Sequence, residues 1–154
     1  MPPVPATGWM FSGRRSFRMT PYRYLDHTAD LGLEITSASL TELFIDTGRA
    51  IFETQVSGPV PADREVDFKL AADSLEDLFL DWCRELLYNF SVRSFVPQSY
   101  ELTFQDLTLK AKLRGGLFDP QKNKVKMEIK NPTYHKLKVE KLAHGSRARI
   151  IIDT

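Results

Sequence analysis

At 154 residues, 42% of them hydrophobic and 27% charged, the chain is sized for one compact domain and is too short for two independent cores. Its longest apolar runs, such as Ile150-Ile151-Ile152, fall far below the roughly 20 residues that a bilayer-spanning helix needs, which excludes that class. Cys83 is the only cysteine, so an intrachain disulfide and a thiolate metal cluster are excluded, and its place in an apolar helical pattern predicts a buried structural thiol.

The net charge of +1 conceals a division along the chain. Residues 1–25 carry four basic and no acidic side chains, residues 26–90 four basic and fourteen acidic, and residues 91–154 thirteen basic and six acidic. Folding could turn this division into opposite faces, one suited to cations and one to an acidic partner or nucleic acid. Residues 1–20 contain Pro2, Pro3, Pro5, Gly8, Gly13 and the pair Arg14-Arg15 without apolar periodicity, and read as a disordered basic N-terminal extension. A targeting peptide fits this stretch less well than an upstream-extended start, because Met19 stands immediately before Thr20-Pro21-Tyr22, where the ordered pattern begins.

From Leu31 the alternation of Leu31, Leu33 and Ile35 with polar residues predicts a half-buried strand. Ser39 and Glu42 have capping-box spacing, and Leu40, Leu43, Phe44 and Ile51 share one face of the helix that follows. The arrangement then recurs. Val66, Phe68 and Leu70 alternate, Asp73 and Glu76 supply a second capping box, and Leu75, Leu78, Phe79, Trp82 and Leu86 form a second apolar stripe. Residues 39–46 and 74–81 line up as an internal duplication or as two capped helices converging on one solution. Ser57-Gly58-Pro59-Val60-Pro61 between the two units cannot continue a helix and marks a turn.

Beyond Tyr88 the pattern is β. Tyr100, Leu102 and Phe104, a turn at Gln105-Asp106, and Leu107, Leu109, Ala111 and Leu113 read as a hairpin that Gly115-Gly116 ends. Val125, Met127 and Ile129 predict another strand, and two more follow near 136–139 and 147–153. The expectation is therefore an α+β fold, two amphipathic helices packed on a mostly antiparallel β-sheet of about seven strands. Gly115-Gly116 without further motif is no phosphate loop.

Two polar segments carry candidate chemistry. Asp26-His27-Thr28-Ala29-Asp30 sits at the start of the first strand, and Asp153-Thr154 at the other end of the sequence. Alone, the aspartates at the strand entry read more simply as turn caps and Asp153 as part of a solvated tail. Oxygen-only clusters favour hard divalent cations. The histidines His27, His135 and His144 have no nearby nucleophile motif, so a hydrolytic triad is not supported. Asp77, Asp81 and Glu85 read as a solvated helix face, and the lysine-rich stretch Lys122, Lys124, Lys126, Lys130, Lys136, Lys138 and Lys141 as either a solvated edge or a surface for phosphates or an acidic partner.

The Asp26-to-Asp30 motif, the Leu80-Asp81-Trp82 helix, Thr133-Tyr134-His135 and a terminal strand ending in Asp153 together resemble the archease family over residues 21–154. That resemblance implies a cytoplasmic protein that is not itself an enzyme. It implies a metal-binding activator of the RtcB-type RNA ligase of tRNA splicing, promoting the ligase's guanylylation, with tRNA touched only indirectly. The implied ligands are Asp30, Asp153 and the α-carboxylate of Thr154, for Ca²⁺ first and Mg²⁺ or Mn²⁺ also. Asp26, His27, Lys122, Lys130 and His135 are implied as support or partner contacts, His27 as a brace for its loop. Thr154 stands where the family usually has isoleucine, and Asn123 where many members have histidine. The family's other associated role implies a chaperone-like module that protects RNA-modifying enzymes such as a tRNA methyltransferase.

Overall fold

The computed structural model describes residues 21–25 and 30–154. Residues 1–20, and with them the expected N-terminal extension, lie outside the described residues. In chain order the elements are β1 (Tyr22–Leu25), β2 (Asp30–Ser37), α1 (Leu40–Gln55), β3 (Val56–Ser57), β4 (Arg64–Ala71), α2 (Leu75–Arg93), β5 (Phe95–Gln105), β6 (Thr108–Leu117), β7 (Lys124–Val125), β8 (Pro132–Leu142) and β9 (Gly145–Asp153). They form a four-stranded sheet ordered β1-β2-β9-β8, a three-stranded sheet ordered β4-β6-β5 and a small β3-β7 ribbon. All strand pairs among them are antiparallel, which confirms the α+β class.

Period-two patterning explains why the sheets face the helices. Leu31, Leu33 and Ile35 of β2 stand opposite Ile152, Ile150 and Ala148 of β9 in register, and all six are buried. On the second sheet Leu109, Ala111 and Leu113 of β6 supply the buried face. Each helix touches strands of both sheets, so the apolar stripes of α1 and α2 have two walls to fill. Phe44 of α1 meets Phe79 of α2 edge-on at 5.3 Å and Phe104 of β5 at 5.0 Å. The indole N–H of Trp82 donates to the Phe44 carbonyl at 2.9 Å, which satisfies a polar group at the centre of the core. Cys83 is fully buried and burial pushes its thiol far up from its ordinary value, as the inert structural reading expected.

Several expectations change in detail. Among the described residues there are nine strands where about seven were expected, because β1 and the two-residue β3 carry too little periodicity to be seen in sequence. The strand expected over Val125–Ile129 is regular only at Lys124–Val125; Val125 and Met127 are exposed and Ile129 alone is buried. The second helix is capped by Ser74, whose hydroxyl accepts from the Asp77 amide, and not by Asp73, because the first helical residue is Leu75. Gly115-Gly116 does not end β6. A side chain at Gly115 would collide with the Val96 carbonyl, and one at Gly116 with the Pro61 carbonyl, so the pair lets two neighbouring backbones close on the strand. Among the described residues, antiparallel pairing interleaves the charge division, setting Glu65 opposite Arg114, Asp67 opposite Lys112 and Glu34 opposite Arg149.

Candidate metal centre at the open end of the four-stranded sheet

Asp30 is the first residue of β2 and Asp153 the last of β9, and the antiparallel register makes them direct partners. Residues 123 positions apart are thereby brought within about 5 Å at their Cα atoms. Direct cross-strand partners project on the same side of a sheet, where two carboxylates repel unless something positive lies between them. The neighbouring residues offer main-chain support. Asp153 is clasped on its other edge by the chain leading into β8: the Lys130 amide donates to the Asp153 carbonyl at 2.8 Å, and the Asp153 amide donates to the Asn131 carbonyl at 2.8 Å. The Thr133 hydroxyl donates to the Ile151 carbonyl at 3.0 Å and continues the clasp. Thr154 follows, exposed like Asp153.

The structure brings Lys130 to this pair through its backbone, with an exposed side chain. Lys122 sits at the far end of the same segment. Its neighbour Asn123 is buried and fixes the 119–123 turn against the loop after α1, donating to the carbonyls of Ser57 at 3.2 Å and Pro59 at 3.0 Å and accepting from the Asp119 amide. Asparagine at that position is thus a clasp. His135 is exposed on β8, in the stretch where the pairing with β9 is interrupted. Asp26 and His27 lie outside the described residues. Among the described residues no three His, Cys, Asp or Glu side chains gather to hold a metal. A cation held at this end therefore draws on the two aspartates and on main-chain, terminal or solvent oxygens, an all-oxygen set that fits Ca²⁺, Mg²⁺ or Mn²⁺ and not a zinc site of nitrogen and sulfur.

Sequence reading missed the residues that set this end in place. Glu34 of β2 is buried and takes Arg23 of β1 at 2.7 Å and Arg149 of β9 at 2.8 Å, tying three strands together. Only the strand register reveals that the outward-facing Glu34 lies between two arginines. Asn131, which acts through its carbonyl, leaves no signal in side-chain type.

Two capped helices between antiparallel sheets, with an aspartate pair closing one sheet end, define a small α+β protein with an all-oxygen candidate cation site. Residues 22–154 match the model of the Archease protein family (MTH1598/TM1083), and the chain belongs to that family. It is 33% identical to the Protein archease of Archaeoglobus fulgidus over 136 residues, covering 86% of this chain and 98% of the relative. With the Protein archease of Pyrococcus abyssi it shares 33% identity over 132 residues, covering 82% and 93%. Among solved structures, Methanobacterium thermoautotrophicum protein 1598 matches with a TM-score of 0.75 at 23% identity, over 88% of this chain and 100% of the other. A Thermotoga maritima archease described as a possible chaperone matches with a TM-score of 0.62 at 24% identity, over 84% and 94%. These two likenesses bear on the fold. No helix among the described residues is long and apolar enough to cross a membrane.

Proposed function

We infer that this chain is a cation-dependent activator of an RtcB-type RNA ligase, acting in the cytoplasm on a protein partner and not as an enzyme itself. Membership of the archease family supports a role exerted through another protein. The observation that carries the metal reading is the register that faces Asp30 with Asp153 at the end of the sheet. The Thr154 α-carboxylate, one residue on, adds a third oxygen donor at no demand on side-chain type. A divalent cation bound there supplies positive charge that offsets repulsion between nucleotide phosphates and the ligase during guanylylation. The protein's own part is to hold the two carboxylates on paired strands, with the Lys130–Asn131 clasp keeping Asp153 in place. Lys130, Lys122, His135, Asp26 and His27 serve in this reading as partner contacts or loop support.

Calcium binding by titration calorimetry and multiple-turnover ligation, each with Asp30→Ala and with a one-residue extension after Thr154, test the proposal together. Both variants are expected to lose cation binding and stimulation. Unchanged stimulation in either would refute it.

The chaperone description of the Thermotoga relative and the exposed Tyr88, Val92 and Tyr134 favour a second reading, a module that protects a tRNA methyltransferase from aggregation. It predicts protection that survives Asp30→Ala. Suppression of light scattering by a heated methyltransferase separates the two.

A further inference from the structure

The outward face of α2 carries a feature that the metal centre does not use. Asp77, Asp81, Arg84, Tyr88 and Val92 recur at helical spacing along one stripe. Tyr134 of β8 lies across its first half. Its hydroxyl donates to the Asp77 carboxylate at 3.0 Å, and the Arg84 guanidinium sits 5.8 Å from its ring centre while also reaching Asp81 at 3.7 Å. Tyr134 is nevertheless 57% exposed, and Tyr88 and Val92 further along are 53% and 60% exposed.

The backbone explains how an edge-strand tyrosine comes to rest on a helix. Between Thr133 and Lys138 the register of β8 against β9 shifts, with Lys136 at a φ of 57°, and such irregularities re-aim side chains. Tyr134 is thus held at its hydroxyl and its ring before anything binds. Preordered aromatic and arginine side chains lose little entropy on contact and dominate the energetics of protein interfaces. Tyr134 also follows directly on Thr133, whose hydroxyl donates to the Ile151 carbonyl two residues before Asp153.

We propose that this stripe is where the partner protein docks, the partner contributing a basic side chain to the Asp77–Asp81 carboxylates and an apolar one to Tyr88 and Val92. The occupant follows from charge. Asp77 and Asp81 outnumber Arg84 on the stripe, so its net charge is negative and an RNA backbone is disfavoured here, whereas an arginine or lysine of a protein can share the two carboxylates. The proposal rests on the activator reading, in which the partner is the RNA ligase.

The test measures affinity of the full chain for purified ligase by calorimetry, with melting temperature and calcium binding recorded in parallel. Tyr134→Ala and Val92→Glu are expected to weaken ligase binding roughly tenfold or more while both control readouts stay at wild-type values. Asp81→Lys is expected to weaken it as well. Full affinity in Tyr134→Ala and Val92→Glu, or tighter binding by Asp81→Lys, overturns the docking surface and leaves the activator reading standing. A wild-type chain that does not bind the ligase overturns both.

Discussion

Gln55, the last residue of α1, is 1% exposed, and among the described residues neither end of its side-chain amide has a hydrogen-bond partner. Its main chain is used, the carbonyl accepting from the Lys126 amide at 2.8 Å, so the irregularity is confined to the side chain. An unsatisfied buried amide costs about 1–3 kcal/mol, and an apolar side chain of the same length removes that penalty without opening a cavity. Gln55→Met is therefore expected to raise stability by about 1 kcal/mol in urea denaturation with an unchanged slope. A loss of stability would show that the amide is bonded to solvent. In sequence, Gln55 stands one residue past Thr54 at the end of an amphipathic helix, where a polar residue reads as exposed. Its burial comes from the segment that crosses it at Lys126, some seventy residues later.

At the scale of elements, the two helices are joined most specifically by Trp82. Its indole bonds a carbonyl of α1, while its ring lies 6.0 Å from Phe44, 5.9 Å from Phe68 and 6.1 Å from Tyr100. Trp82→Phe keeps an aromatic ring but loses the donor and part of the volume, with an expected cost of about 2–3 kcal/mol in denaturant unfolding. A cost below about 0.5 kcal/mol would mean that the indole bond contributes nothing net. Both helices were legible because cap and stripe are local. Ser39 and Ser74 each accept an amide three residues on, matching the alignment of residues 39–46 with 74–81. The second box was misplaced by one residue, since Asp73 and Ser74 are both good caps and only the backbone decides between them. The Val125–Ile129 segment was misread for a related reason. Alternation describes a strand only where a partner strand exists, and here pairing stops after Val125.

For the molecule as a whole, Glu34 links strands far apart in sequence by joining β1, β2 and β9. Burial alone would push its carboxyl up, but hydrogen bonds and charge from Arg149 and Arg23 outweigh that and hold it below its ordinary value of 4.5. The folded state then takes up a proton less readily than the unfolded chain. The clasp's stabilisation is accordingly complete above about pH 4.5 and drains away as pH falls through the lower folded value. Thermal melts from about pH 7 down to about pH 3 should show this acid-side decline, and Glu34→Gln should flatten it while lowering the plateau. An identical pH profile in the variant would mean that other carboxylates govern acid unfolding.

The sequence by itself determined the class of the fold, the two capped helices, the burial of Cys83 and the family, because caps, apolar periodicity and short motifs act over a few residues. It also named Asp30 and Asp153. Tertiary structure alone decided that these two are direct partners, that the Lys130 backbone is bonded to Asp153, and that acidic and basic segments of the chain interleave. Antiparallel register between β2 and β9 and the interruption in β8 are set by the packing of whole sheets on the helices. No local pattern of residues encodes contacts made across more than a hundred positions.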